Sequence, residues 1–296
     1  MDDFGRLITA MVTPFNDSGN VDYTQAKKLA VSLLNSGSDG VVISGTTGEA
    51  PTLSNNEKIR LFSEVKEAVG NSGKVIAGTG SNNTSESIHL SKEAIQQGVD
   101  GLLLVVPYYN KPPQEGLFQH FKSIAENIDV PCILYNVTSR TSLNMSHETT
   151  IRLSEIHNIV GIKEAGSDSE QISRIIHGTR DSFKVWSGND NETFKIMGLG
   201  GYGVVSVASH LVGNQIKEMI EMINNGQTSE ADIENRRMLP IFNELFTVSN
   251  PIPVKYALNK IGFPVGTPRL PLIPADPNTA NRIDSILNQY KIDLPV

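Results

Sequence analysis

A lysine stands at the end of an apolar, β-branched segment in NIVGIKEAGS, residues 158–167. The segment is typical of a buried strand, so Lys163 is expected at its tip. A dry environment disfavours the charged form of a lysine, whose ordinary pKa is ~10.4. A pKa lower by ~3 units would leave roughly a quarter of the amines neutral at pH 7, as a nucleophile that forms a Schiff base requires. The alternative is a solvated lysine just beyond a strand.

Other polar side chains follow strand-like segments in the same way. Tyr135 lies near the end of CILYNV, where a phenol could carry protons to and from a carbinolamine on Lys163, or could only pack in the core. The backbone amides of GTTGE, which contains Thr46 and Thr47, could hold a carboxylate, or could only form a tight turn. Arg140 in TSRT could bind a second carboxylate through its planar guanidinium, or could lie on the surface.

Short apolar segments alternate with segments of helical periodicity along most of the chain. This alternation, over about 210 residues, is typical of a parallel sheet covered by helices, either open or closed into a barrel. Eight units of similar length, without G-x-G-x-x-G after the first strand, favour an α/β fold of the (β/α)8 TIM-barrel type. The predicted strands are LITAMVT, GVVISG, KVIAGTG, GLLLVVP, CILYNV, IVGIKEA, FKVWSG and GVVSVAS.

Strand-like segments stop after about Gly226. Three helical segments follow, and the Pro-rich FPVGTPRLPLIPADP connects the last two. We therefore predict a barrel that carries the active site over residues 1–226 and a C-terminal three-helix extension over residues 227–296. In such a barrel the reactive residues collect at the carboxyl ends of the strands, where the polar residues described above are expected.

The composition argues against several classes of protein. The 296 residues carry a net charge of −7, so no basic surface for nucleic acid or acidic lipid is expected. No apolar run approaches the ~18 residues of a membrane span, and the N-terminus lacks the pattern of a signal peptide, so we expect a cytoplasmic protein. Cys132 is the only cysteine, and its apolar surroundings indicate a core residue. No ligand spacing for a metal and no phosphate-binding loop occur, so neither a metal nor a nucleotide cofactor is expected.

Seven motifs, in order along the chain, resemble the dihydrodipicolinate synthase family: GTTGE, PYYNKP, YNVTSRT, GIKEA, SGND, GGYGVVSV and NPIPVKYAL. The resemblance extends from TPF at residues 13–15 to RLPL at residues 269–272. It implies a lyase that condenses pyruvate with aspartate 4-semialdehyde, the first committed step toward diaminopimelate and lysine. It also implies that a covalent lysine Schiff base takes the place of a cofactor.

The resemblance implies a role for each matching residue. Lys163 would form the Schiff base with pyruvate and Tyr135 would give and take protons, with Thr46 and Tyr109 completing a hydroxyl relay. In the family the position of Tyr109 is supplied by the neighbouring subunit, so a homodimer or a homotetramer built as a dimer of dimers is expected. The residues implied to hold the substrates are Thr47 and the backbone of Val205 for the pyruvate carboxylate, Arg140 for the semialdehyde carboxylate, and Gly188 in the pocket wall.

The sequence departs from the family pattern in two places. The family usually reads YNVPSRT, and Thr138 replaces the proline, which we expect to loosen the approach to Arg140. Lysine-inhibited members bind lysine at the dimer interface, where Ala50 lacks the usual hydroxyl and Lys58 replaces a histidine and would repel the effector's ammonium. Weak or absent inhibition by lysine is therefore expected. The positions that match this allosteric site are Ala50, Lys58, Asn82, Glu86 and Tyr108.

Two other functions are considered. N-acetylneuraminate lyase and the 2-keto-3-deoxy acid aldolases share the barrel and the Schiff base, but they generally lack the arginine of SRT, where their longer substrates pass. A non-catalytic regulator that senses pyruvate would retain the whole reactive set without reason. The synthase reaction is therefore the expected function, and the sugar-acid lyase is the alternative.

Overall fold

A closed barrel of eight parallel strands forms the centre of the protein in a computed structural model, which describes residues 3–296. Each strand pairs with its neighbours in chain order, and the last strand pairs with the first, with Leu7 opposite Val204. The predicted (β/α)8 architecture is therefore confirmed, and every predicted strand is present. The strands are β1 Leu7–Ala10, β2 Gly40–Ile43, β3 Lys74–Gly78, β4 Gly101–Val105, β5 Cys132–Asn136, β6 Ile159–Glu164, β7 Lys184–Ser187 and β8 Gly203–Ser206.

Helices follow the strands around the barrel, and three more form the C-terminal extension. Within residues 3–296, no helix is both long and apolar enough to cross a membrane. The helices are α1 Tyr23–Asn35, α2 Asn55–Val69, α3 Thr84–Gln96, α4 Gln114–Ala125, α5 Thr138–Thr141, α6 His147–Ser154, α7 Ser169–Gly178, α8 Thr193–Gly198, α9 Ser209–Asn224, α10 Thr228–Glu244, α11 Ile252–Lys260 and α12 Pro277–Leu287.

The starts of α1 and α2 follow from their capping residues. At the start of α2 the Ser54 hydroxyl accepts from the backbone N–H of Glu57, and the Glu57 carboxylate accepts from the backbone N–H of Ser54, which completes a capping box. At the start of α1 only half of the same pattern forms. Asp22 accepts from the N–H of Gln25, whereas the Gln25 side chain donates to the carbonyl of Pro264.

Buried polar contacts join the C-terminal extension to the top of the barrel. Lys255 of α11 forms an ion pair with Glu49, which follows β2, at 2.7 Å between Nζ and Oε1, and both side chains are 1% exposed. The backbone N–H of Arg269 donates to the second carboxylate oxygen of Glu49. The predicted boundary at residue 226 falls between α9 and α10. That the two parts are separate domains stays a prediction.

Candidate active site

Lys163 and Tyr135 lie side by side at the carboxyl ends of β6 and β5. They are direct register partners, so their side chains project from the same face of the sheet. Both side chains are buried. Burial lowers the pKa of Lys163 from 10.5 to about 8, the charge of Asp190 opposes this shift, and the charge of Arg140 adds to it. The amine is therefore as dry as predicted, although its pKa falls somewhat less than the ~3 units considered from the sequence.

The phenol of Tyr135 is protonated at neutral pH. Burial raises its pKa above the ordinary 10.0, while the charge of Arg140 and a hydrogen bond with Thr46 lower it. A protonated phenol beside a neutral amine can donate a proton to an oxygen that leaves as water. Tyr135 and Thr46, two members of the predicted hydroxyl relay, lie near each other in the wall of one cleft.

Tyr109, the third hydroxyl of the predicted relay, lies away from the others within one chain. Its side chain is 90% exposed, and its backbone is left-handed with φ +74°. For a residue other than glycine such a conformation costs on the order of 1 kcal/mol or more, so the fold holds this phenol outward against a strain. An outward-facing side chain is what a residue that serves the site of a second subunit requires. The role of Tyr109 stays a prediction.

The four predicted substrate-binding residues also lie where the strands end. Thr47 is buried in the loop after β2, and its hydroxyl accepts a hydrogen bond from Asn250 at 2.8 Å. Val205 is buried on β8, opposite Ile8. Gly188 follows β7, and a Cβ there would lie 2.5 Å from the Cβ of Ala165, so the chain passes too closely for any other residue.

Arg140 is carried by α5, a single helical turn, and not by an irregular loop. Thr138 occupies the first position of this turn, where proline is also well tolerated. The hydroxyl of Thr141 lies within hydrogen-bond distance of two carbonyl oxygens, 3.2 Å from that of Val137 and 2.9 Å from that of Leu143. It therefore ties the end of the turn to the residue before it without a proline. Whether the approach to Arg140 is looser than in relatives stays a prediction.

Asp190 is a site residue that has no predicted role, although it belongs to the SGND motif. Its buried carboxylate accepts from the hydroxyl of Ser206 and from the backbone N–H groups of Val207 and Ala208. Burial raises the pKa of Asp190 above its ordinary value, and these hydrogen bonds together with the charge of Lys163 limit the rise. Asp190 therefore supplies the negative charge that acts most strongly on Lys163.

Glu164 follows Lys163 but faces away from it. Its carboxylate is completely buried and accepts from the amide of Asn136 at 3.0 and 3.1 Å and from the N–H of Gly166 at 2.7 Å. Burial raises its pKa to about 7, and these hydrogen bonds limit the rise. Strand alternation thus keeps this carboxylate from forming an ion pair with the reactive amine, as the sequence indicates.

One cleft of about 630 Å³ brings four of the five predicted effector residues together with part of the predicted active site. Its walls do not include Lys163, Thr47, Gly188 or Val205. Burial lowers the pKa of Lys58, and Glu86 opposes the shift. Asn82 donates from its amide to the carbonyl of Tyr108 and is not part of the wall. Among residues 3–296, no three His, Cys, Asp or Glu side chains cluster closely enough to hold a metal ion. The cleft walls include Thr46, Tyr135, Arg140, Ala50, Lys58, Glu86 and Tyr108.

Comparison with known proteins decides the family. Residues 3–290 match the family described as the Dihydrodipicolinate synthetase family. A 4-hydroxy-tetrahydrodipicolinate synthase of Dehalococcoides mccartyi strain CBDB1 is 58% identical over 296 residues, which is 100% of both chains. The chain belongs to the dihydrodipicolinate synthetase family. The resemblance seen in the seven motifs is therefore confirmed over the full length.

Solved structures of dihydrodipicolinate synthases have the same architecture. The Cyanidioschyzon merolae enzyme with lysine bound has a TM-score of 0.95 and 46% identity, covering 97% of this chain and 98% of its own. The chloride-inhibited Acinetobacter baumannii enzyme complexed with pyruvate has a TM-score of 0.94 and 39% identity, covering 97% and 99%. The activity of the chain is that of a 4-hydroxy-tetrahydrodipicolinate synthase, a lyase of lysine biosynthesis, and not that of the sugar-acid lyase considered as the alternative.

Two pairs of contacting residues near the site were not predicted from the sequence. Asn250 contacts Thr47, and Lys255 contacts Glu49. The motif NPIPVKYAL contains both Asn250 and Lys255. It indicates that these residues matter, but it does not indicate what they contact. A motif alone does not identify the contact partner, because the two residues of each pair lie far apart in the sequence.

Proposed function

We propose that Lys163 forms an imine with pyruvate and that the chain condenses this imine with aspartate 4-semialdehyde. The observation that carries the proposal is the buried amine of Lys163 beside the phenol of Tyr135. With its pKa at about 8, about one amine in ten is neutral at pH 7. At the ordinary pKa the neutral share would be about one in 3,000.

The first half of the reaction forms the covalent intermediate. The neutral amine of Lys163 attacks the keto carbon of pyruvate, and one proton passes from the amine to the oxygen. Tyr135 supplies a second proton, and the oxygen leaves as water. The iminium that results is a cation, which the nearby charge of Asp190 stabilises. Loss of a methyl proton then gives an enamine. Thr46, which lies near the phenol and lowers its pKa, could pass protons to and from Tyr135 in these transfers.

The second half forms the new carbon–carbon bond. The enamine carbon attacks the aldehyde carbon of the semialdehyde, and the aldehyde oxygen takes up a proton. The amino group of that substrate then attacks the imine carbon, which closes the ring and releases Lys163. Two anionic substrates require two carboxylate sites, which we assign to Thr47 with the backbone of Val205 and to Arg140.

Tyr109 completes the site of a second copy of the chain in this proposal. Its 90% exposure and its left-handed backbone support a role outside its own subunit. A homodimer is then the smallest complete unit, and a dimer of dimers is compatible with it.

Borohydride trapping with pyruvate, followed by peptide mass analysis, tests the covalent step. We expect the reduced adduct on Lys163. The variant Lys163→Ala should lose both trapping and turnover in an assay coupled to dihydrodipicolinate reductase, whereas the exposed-lysine control Lys260→Ala should keep both. An adduct on any other residue would overturn the assignment.

A further inference from the structure

Asn250 and Thr47 are joined by a buried hydrogen bond that links the C-terminal extension to the substrate site. The amide nitrogen of Asn250 donates to the Thr47 hydroxyl oxygen at 2.8 Å, across a separation of 203 residues. Asn250 lies between α10 and α11, and Thr47 lies in the loop after β2. The side chains are 5% and 4% exposed, so water does not compete freely for this bond.

The direction of this bond determines what the Thr47 hydroxyl can offer a ligand. A hydroxyl has one hydrogen to donate and two lone pairs that accept. Because Asn250 donates to one of the lone pairs, the hydrogen of Thr47 points elsewhere. In the part of the chain that the structure describes, the Thr47 hydroxyl has no other hydrogen-bond partner. A carboxylate only accepts hydrogen bonds, so this free hydrogen is suited to it.

The segment that carries Asn250 is itself anchored to the same loop. Lys255 forms its ion pair with Glu49, two residues after Thr47. The N–H of Lys255 also donates to the carbonyl of Pro251, directly after Asn250. The Asn250–Thr47 hydrogen bond and the Lys255–Glu49 ion pair therefore fix the segment 250–255 of the extension against the GTTGE loop. The Asn250 amide is held in register with Thr47 by these anchors.

We propose that Asn250 is a positioning residue that directs the Thr47 hydroxyl toward the carboxylate of the keto-acid substrate. This inference rests on the proposed function, in which Thr47 binds the pyruvate carboxylate. Asn250 acts through Thr47 and does not touch the reacting atoms. Its loss should therefore weaken the binding of pyruvate and leave the chemical steps on Lys163 nearly unchanged.

The variant Asn250→Asp tests the direction of the bond. The carboxylate has the same shape but cannot donate, so the Thr47 hydrogen would turn toward it and away from pyruvate. We expect the pyruvate concentration for half-maximal borohydride trapping, and the KM for pyruvate, to rise roughly 10-fold or more. The kcat at saturating pyruvate should change less than about threefold, as expected when binding and not chemistry is affected.

Two comparisons separate this role from general damage to the fold. Asn250 and Asn235 of α10 are both buried, and within residues 3–296 the amide oxygen of each has no hydrogen-bond partner. Asn235→Asp therefore makes the same chemical change away from the loop and should keep the wild-type KM. Asn250→Leu should raise the KM in the wild-type protein but not in a Thr47→Val background, because the two residues act through one bond.

The outcomes are distinct. An unchanged KM in Asn250→Asp, or an equal KM increase by Asn250→Leu in both backgrounds, would overturn the inference. A loss of kcat as large as the loss of kcat/KM would also count against it. If Asn250→Asp does not fold, the two Asn250→Leu measurements decide. Failure of the proposed function would appear in the wild-type protein itself, as absence of the adduct on Lys163.

Discussion

The amine nitrogen of Lys163 lies 4.4 Å from the centre of the Tyr135 ring. The face of an aromatic ring attracts a cation, so the ring stabilises the ammonium form while the surrounding apolar core destabilises it. The hydroxyl of the same residue lies by Thr46. Tyr135 thus has two separable parts, a ring that affects the charge of Lys163 and a hydroxyl that can move protons.

Removing only the hydroxyl of Tyr135 should separate these parts. Tyr135→Phe keeps the ring against Lys163 but removes the proton donor, so we expect the rates of imine formation and of turnover both to fall by about 10²- to 10⁴-fold, the usual contribution of a general acid or base. The pH midpoint of trapping, which the ring helps to set, should stay near that of the wild-type protein. Trapping rates over a pH series and coupled turnover measure the two effects. Tyr256→Phe, which removes a phenol of the extension that donates to Asp284, is the control and should change neither. Undiminished rates, or a clear displacement of the pH midpoint of trapping, would contradict the division.

The pH dependence of trapping should follow the titration of Lys163. Only the neutral amine attacks, so the rate should rise by about 10-fold between pH 7 and pH 9 and then level off, for a pKa near 8. The charge of Asp190 raises that pKa, so Asp190→Asn should move the midpoint to lower pH. A midpoint near 10, or a shift upward in the variant, would rule out this account.

Lysine should inhibit this enzyme weakly or not at all. Lys58 lies in the cleft wall with Glu86 and would repel the ammonium group of the effector, while Ala50 offers no hydroxyl. We expect activity to be unchanged at sub-millimolar lysine. The double variant Ala50→Ser with Lys58→His should become more sensitive, and a clear loss of wild-type activity at such concentrations would refute the expectation.

Breaking the buried ion pair should destabilise the protein strongly. Lys255→Met leaves the Glu49 carboxylate buried without its cation, at a cost of about 3–5 kcal/mol in the free energy of unfolding. Lys260→Met removes an exposed partner of Asp284 and should cost far less, because solvent screens such pairs. Denaturant unfolding of both variants provides the measurement. Similar losses of unfolding free energy in the two variants would show that burial does not determine the contribution of the ion pair to stability.

Mixing two inactive variants tests the intersubunit role of Tyr109. A heterodimer of Tyr109→Phe and Lys163→Ala would contain one site with both native residues, because each site takes Tyr109 from its partner. After unfolding and joint refolding at equal amounts, about a quarter of the wild-type sites should be restored by random pairing. Restoration requires the two residues to act across an interface. No restoration would place Tyr109 outside the neighbouring site.

The barrel could be predicted because its signals are local. Each strand is a short β-branched run that is buried on both faces, and the eightfold alternation with helical segments fixes the architecture. The position of Lys163 followed from the same reasoning, since a residue at the end of a barrel strand lies at the face where the loops meet. The start of α2 is equally local, because its capping box joins Ser54 and Glu57 within four consecutive residues.

The contacts that support the site could not be predicted in this way. Asn250 meets Thr47 across 203 residues, and Lys255 meets Glu49 across 206. A single polar residue produces no periodicity, and its partner is fixed only when the barrel closes and the extension packs against it. The effect of Asp190 on the pKa of Lys163 likewise depends on how deeply both groups are buried. That depth cannot be read from the sequence.

Cys132 is buried on β5, and burial raises the pKa of its thiol to about 12. The thiolate, which is the reactive form, is therefore almost absent at neutral pH. The natural chain thus offers a silent background for site-directed labelling. A single cysteine introduced on an exposed residue would be the only group that a maleimide dye can modify, and fluorescence could then report on how subunits meet without first removing a native thiol.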